Sequence, residues 1–472
     1  MTYNDFQIVG ASNQEEPREF DPQRTLNMYA ITDQTGKKPL ALTSAPGTQT
    51  AILFNQGTNV RSLIQFGSNV YAVVEENVYK VDQSLDATLL GVIGTTQGYV
   101  GMAHNDTQVI LVDGNAGYII ENDILNIIVD PQFPGQPTDV TYIDTYFVVT
   151  KGETNEWYIS FSGDGTQWNV LSEMQIISKP DTLIGCSSLH RLLFLFGKVS
   201  TEVWYNAGTG IDNPFQRQNN MLLEYGCTAP GTIAFGFDKL FWLGNDEYGF
   251  NSVMMTDGTR PQKVSTRPVE IAIKYYENKE DARGFVYKEN GHVFYVLSFT
   301  SGNHTWVYDA STQMWHEREM QDGSRFIADC HVFFNNKHYI GHHNAPIISE
   351  MSKDLTSYNG DSIHRQRITS VFSDPTYKKI RIDRLEVDIR SGFVPTNGTS
   401  SDPKLFFSVS RDGGQLFQPA ESLSIGREGD RTKRTIFRRK GTARSFAFKF
   451  DYYADSLFDI LGAAIKYEVL PV

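Results

Sequence analysis

The chain has 472 residues, 40% hydrophobic and 21% charged. That is enough to bury a large core and too much chain for one ordinary core, so two or three structural units are expected. A formal net charge of −13 repels polyphosphate at long range and excludes a generic nucleic-acid binder, while 23 Tyr, 30 Phe and 39 Gly give the texture of strands joined by tight turns.

Residues 1–7 show neither a basic n-region nor an apolar h-region, so no secretory leader is expected. No run of about eighteen apolar residues exists, so no membrane-spanning helix is expected. Cys186, Cys227 and Cys330 lie far apart, outside any C-x-x-C pattern. They read as free, mostly buried thiols of a protein folded in a reducing cytosol.

Residues 1–58 are irregular, with several prolines and two short extended pieces at 25–31 and 39–43. They read as an N-terminal arm that docks on something. From 59 to 372 a pattern recurs: an apolar strand pair joined by a Gly/Asn/Asp turn, followed by a more polar pair. Its apolar cores fall at 60–81, 109–120, 140–160, 191–205, 239–255, 292–317 and 332–348. Successive copies start roughly 40 residues apart, the blade period of a β-propeller. One four-stranded sheet cannot bury its faces alone, and radial stacking buries them all. Six or seven blades are expected. Residues 269–276, continuing into 277–282, form the single plausible helix, set between blades.

Residues 373–472 read as a separate antiparallel β-sandwich. Residues 379–389 alternate apolar and charged side chains, as a strand with one wet face does. From 427 to 449 nine Lys and Arg residues face only Glu428 and Asp430, a basic patch on an acidic molecule. The fold class is therefore all-β: arm, propeller, sandwich.

Few motifs carry chemistry. Ser410, Asp412, Gly414 and Phe417 match S-x-D-x-G-x-x-aromatic, the Asp box of sialidases and other propellers. Its physics is that of a turn: the Asp carboxylate satisfies turn amides, Gly takes positive φ, and the aromatic packs beneath. Residues 162–168 are a shortened cousin. A sialidase also needs an arginine triad and a Tyr/Glu nucleophile pair. Arg260 and Arg267, each in Thr-Arg-Pro, supply two arginines without a fitting earlier one. His331, His338, His342 and His343 cluster beside Cys330 and are expected at a surface or interface rather than on a metal. No cofactor or metal is expected. Asn105, Asn303 and Asn397 lie in glycosylation sequons, which mean nothing for a protein folded in bacterial cytoplasm.

The ordered set of features resembles the packaged-DNA stabilisation proteins, or tail hubs (tail accessory factors), of short-tailed bacteriophages. The residues that carry the resemblance are Pro22-Gln-Arg24 with Asn27-Met-Tyr29, then Leu42-Thr-Ser-Ala-Pro-Gly47, then residues 98–104 leading to 109–114, and the closing segment 405–469. The resemblance implies a non-enzymatic protein of the virion tail, assembled in the host cytoplasm. It implies a ring, expected to be a hexamer, that retains packaged DNA and conducts it during ejection. Its implied partners are its own copies, the portal and head-to-tail adaptor proteins, tailspike, tail needle, and transient DNA in the lumen. Arg24, Asn27 and Tyr29 are then the candidate arm-docking residues. Arg431, Arg434, Arg438, Arg439 and Arg444 are the candidate contacts to a neighbour or adaptor. The alternative reading is a carbohydrate-active, sialidase-like or carbohydrate-binding propeller.

Overall fold

The computed structural model describes residues 3–32, 39–168, 174–176, 181–208, 214–392, 402–427 and 429–471. Among these, seven small antiparallel sheets follow one another along the chain, one for each recurrence of the sequence pattern. Blade 1 runs from Val60–Phe66 out to Ala87–Val92, and blade 2 from Gly101–His104 out to Ile124–Ile127. Blades 3 to 6 begin at Pro137–Ile143, Leu183–Leu189, Gly226–Cys227 with Ala234–Gly236, and Arg283–Glu289. Blade 7 contains Ala328–Phe334, Lys337–His342 and Ile347–Ser352, and takes its fourth strand from Gly47–Leu53. The first strands of neighbouring blades pack together around the axis, and that of blade 7 meets that of blade 1, so the ring is closed.

Stacking sets the energetics. Each pair of adjacent blades shares one apolar cluster, from Val73, Val109 and Leu111 between blades 1 and 2 to Ile52, Val60 and Tyr339 between blades 7 and 1. Each fully buried Val, Leu, Ile or Phe contributes about 1.5–3 kcal/mol relative to exposure. Tight hairpin turns permit this packing. Asp144–Thr145, His190–Arg191 and Asn335–Asn336 hold both central residues at positive φ, as two-residue type I′ turns require. The helix expected at 269–276 and onward to 282 is Arg267–Lys274, between blades 5 and 6. It starts two residues earlier, with Pro268 in its first turn and Glu270 accepting a bond from Ser265. Residues 277–282 are not helical, since the Asn278 side chain takes the Glu280 amide into a turn.

The sandwich comprises two sheets around one core containing Leu385, Phe407, Phe437, Phe448 and Ile465. The described residues of the segment 1–58 are distributed across both bodies of the chain. Tyr3–Phe6 and Leu40–Ser44 pair with Asp459–Val469 in one sandwich sheet. Pro22–Leu26 lies between Met314–Arg318 of blade 6 and Arg365–Ile368, which pairs onward with Ser445–Tyr452 of the sandwich. The result is one eleven-stranded sheet running from blade 6 into the sandwich. Local patterning does not reveal these pairings, because their partners lie hundreds of residues away.

Candidate functional site: the arm junction, the sandwich edge and the propeller axis

The strand Met28–Thr32 shows how the arm is held. Side chains alternate sides along a strand. Met28 and Ala30 enter the sandwich core, and Tyr29 between them enters the cluster between blades 6 and 7. The Tyr29 ring packs edge-on against Phe294, and its hydroxyl accepts a bond from Lys353 Nζ at 3.1 Å. Asn27, fully buried with φ +51°, donates Nδ2–H to the carbonyls of Glu319 and His364, both at 2.9 Å. Its Oδ1 accepts from Tyr358 and from the Glu319 amide. Arg24 reaches Glu317 and Glu319, each at 2.8 Å. Burial opposes the Arg24 cation, but these two carboxylates outweigh it and hold its pKa above the ordinary value.

Around them lies a network of charges the sequence did not disclose. His364 bonds Asp451 at 2.9 Å, stands 3.6 Å from Glu319 and stacks on Tyr453. Burial works against its charge, yet Asp451 and Glu319 raise its pKa. Burial likewise works against both carboxylates, and the bonds from His364 hold them below the usual range. Arg367, almost wholly buried, donates to the carbonyls of Ile8, Gly10 and Ala11 and to Thr25 Oγ1, binding the arm's first turn to the sandwich.

The Asp-box loop joins the other two candidate groups. Ser410 donates to Asp412 and accepts from the Gly414 amide at 2.8 Å, and Asp412 accepts the amides of Gln415 and Leu416. Gly413 and Gly414 both have positive φ. Phe417 is half-buried beneath Lys449, whose Nζ lies 5.3 Å from its ring centre. A Cβ on Gly414 would stand 2.5 Å from Pro22 Cβ, so the loop lies against the arm. On its other side Arg411 donates to the Lys440 carbonyl at 2.9 and 3.1 Å. In the shortened cousin, Asp164 accepts the Thr166 amide and Trp168 is buried.

Lys440 belongs to Thr435–Ala443, an edge strand of the sandwich paired only with Ile380–Ile389 among the described residues. A bulge with Arg439 at φ +54° breaks the alternation. Lys440 turns inward over Phe407 and Phe437, whereas Arg438 and Arg439 both face solvent. The five candidate arginines do not behave alike. Arg434 forms a bidentate pair with Glu386 at 2.6 and 2.8 Å. Arg431 is exposed beside Gly392. Arg438, Arg439 and Arg444 are exposed and have no carboxylate partner among the described residues.

At the propeller axis, sequence reasoning missed Asp139. Its carboxylate is buried, accepts the amides of Val140 and Cys186 at 3.0 and 3.1 Å, and meets the Tyr99 hydroxyl at 3.2 Å. Arg283 lies over the Tyr99 ring. Burial pushes the Asp139 pKa up to about 7, against those three bonds. Arg61 donates to the carbonyls of Glu75, Thr95, Gln97 and Gly98, so its guanidinium is occupied in holding the turn between blades 1 and 2. Arg267 pairs with Glu15, and Arg260 is exposed just before the outer strand of blade 5.

Of the histidines expected at a surface or interface, His342 is buried and His331, His338 and His343 are half-buried. His342 bonds Ser349 at 2.8 Å, and His331 bonds His338 at 2.9 Å. Burial lowers His331 to about 3 and both His342 and His343 to about 4, so all three are neutral. His331 and His338 meet the rings of blade 6: Phe285 stacks on His331, and Tyr287 lies edge-on to His338. Asn397 lies outside the described residues.

Among known proteins, a family model described as bacteriophage P22 Gp10, beta-propeller, matches residues 6–356, and one described as bacteriophage P22 Gp10, beta-sandwich, matches residues 364–468. No curated protein matches. Among solved structures, the computationally designed Ika8 protein aligns at 11% identity over 65% of this chain and 100% of its own, with a TM-score of 0.41. The Pan2 WD40 domain of Neurospora crassa aligns at 9% identity over 62% of this chain and 89% of its own, with a TM-score of 0.43.

Proposed function

Because this chain belongs to the bacteriophage P22 Gp10 family, the tail hubs of short-tailed phages, it is a structural protein of the virion tail, and we propose that it forms a ring below the head-to-tail adaptor that holds packaged DNA in and conducts it during ejection. In this reading the ring has six copies, and tailspike and tail needle attach to it.

The observation that carries the reading is the sheet that continues from blade 6, through the Leu26–Glu317 pairing of Pro22–Leu26, into the sandwich. A tail part transmits force between the particle and its distal parts. A body with two cores joined by backbone hydrogen bonds and a buried ionic network transmits it without hinging. The net charge of −13 also suits a conduit wall, since an acidic surface does not grip a passing duplex. Against the sialidase-like alternative, Arg61 is committed to four carbonyls, and Arg260 and Arg267 lie away from Asp139.

The arginines of the sandwich edge are protein contacts in this reading. A surface that held DNA would weaken it as a conduit, whereas complementary charge between proteins selects partner and orientation. The double variant Arg438→Glu, Arg439→Glu therefore leaves the fold intact and prevents the hub from entering particles. Protein content and DNA release of purified particles provide the measurement. Particles that carry the variant hub in full yet leak their DNA would show that these side chains contact DNA instead.

A further inference from the structure

The chain treats the outer edges of its blades unequally. Pro22–Leu26 covers the edge of blade 6, and Ser357–Tyr358 lies along that of blade 7. The outer strands of blades 3, 4 and 5 carry Asp164, Arg217 and Lys263, charges of the kind that discourage strand addition. Blades 1 and 2 have neither protection. Ala87–Val92 and Ile124–Ile127 contain no charged residue and pair only inward among the described residues. They lie side by side: a Cβ on Gly91 would be 3.0 Å from Leu125 Cδ2. Leu89, Val92, Ile124, Ile127 and Val129 are 48, 59, 60, 54 and 82% exposed. Five aliphatic side chains on adjoining bare edges form the kind of patch that marks an interaction site.

Charge identifies what covers it. Between Arg61 and Lys151 the only Lys or Arg is Lys80, against eleven Asp and Glu, and Lys80 is paired with Asp123 at 2.7 Å. Asp86 stands exposed just before one edge strand, and Glu121 stands exposed at the end of the strand that leads into the other. A partner for this rim is basic with apolar flanks. The sandwich edge has that composition: Arg438, Arg439 and Arg444 have no carboxylate partner among the described residues. Tyr377 and Leu416 are exposed, one just ahead of the strand that pairs with Ala443 and the other in the loop that holds Lys440. The two surfaces lie apart on one copy, because blade 7 separates blade 1 from the blade 6 edge that carries the sandwich.

We propose that the outer edges of blades 1 and 2 receive the basic sandwich edge of a second copy of this chain. The inference rests on the reading of Arg438 and Arg439 as protein contacts and names their partner surface. The contact is heterologous, so every copy offers both faces and the assembly propagates until it closes.

The test is the full-length double variant Ile127→Cys, Arg438→Cys, in a Cys330→Ser background, incorporated into particles and treated with a short bis-maleimide; Cys186 and Cys227 are buried, whereas Cys330 is half-buried. The expected product is a covalent ladder beyond the dimer, with little from either single-cysteine variant. Dimers from one single-cysteine variant alone would indicate an isologous contact and overturn the proposal. So would uncrosslinked protein in particles that contain the hub, an outcome that leaves the hub reading standing. Absence of the wild-type chain from particles would overturn the hub reading instead. Charge reversal gives a second arm. Asp86→Lys with Glu121→Lys, or Arg438→Glu with Arg439→Glu, should each cut the ladder at least tenfold in the cysteine background carrying Arg444→Cys in place of Arg438→Cys. The two pairs combined should restore it. A combination no better than either pair alone would overturn the proposal, and a photocrosslink to duplex DNA from a benzophenone-maleimide attached at the Arg444→Cys thiol would overturn it by assigning the arginines to DNA.

Discussion

Asn27 and His364 show how much of this protein's cohesion depends on single polar side chains in a buried junction. Asn tolerates the left-handed conformation better than most residues, and Asn27 uses its amide to tie blade 6, the sandwich entry and Tyr358 together. His364 makes the junction pH-dependent. Its folded pKa is raised above 6.5, so its charged form is favoured in the folded state. The stability it contributes is fully present below about pH 6.5 and is lost as pH rises through the folded pKa. Replacing it by Gln should therefore lower the melting temperature most below pH 6.5, with the difference from wild type shrinking above the folded pKa. Paired thermal melts across that range check this; a difference that grows with pH would be inconsistent with the arrangement.

At the scale of elements, the Asp-box loop and the strand Met28–Thr32 act as joints. The loop is a turn in its hydrogen bonds, and its position gives it a further role: it presses on Pro22 and holds the edge strand through Arg411. Gly414→Ala meets two obstacles, a φ of +98° and a Cβ 2.5 Å from Pro22. Overpacking and strain of this kind cost about 1–3 kcal/mol. Chemical denaturation should show that loss, and proteolysis of the arm should quicken. Gly413→Ala places its Cβ 3.0 Å from the flexible Glu19 side chain and 3.2 Å from its Cα, so relief there is easier for the former contact than the latter. The bulge at Arg439 is the opposite kind of device. It turns two consecutive arginines outward and disrupts the ladder on an exposed edge.

For the whole molecule, the strands described between residues 3 and 53 close both cores. Gly47–Leu53 supplies the last strand of blade 7, and Tyr3–Phe6, Met28–Thr32 and Leu40–Ser44 belong to the sandwich sheet. A chain starting at residue 54 should thus lose both at once, leaving blade 7 with an open edge and Phe437, Ile460 and Ile465 partly uncovered. Such a truncation is expected to aggregate, and hydrogen exchange should show lost protection in blade 7 and in Asp459–Val469 while blades 2 to 4 keep theirs. A soluble truncated chain with native protection throughout would contradict this closure.

The sequence by itself determined the all-β class, the repeated blades, the helix before blade 6, and the hydrogen-bonding logic of the Asp box. Each of these is written in local alternation, turn residues and spacing, within one hairpin or one blade. Tertiary structure alone decided that Tyr29 fills an interblade cluster, that Asp139 is buried at the axis, that His342 lies inside, and that Arg434 is paired with a carboxylate while Arg438 and Arg439 face solvent. The physical reason is the distance along the chain over which those partners are brought together. A side chain's burial and charge state depend on neighbours contributed by strands hundreds of residues away, and no local window carries that information.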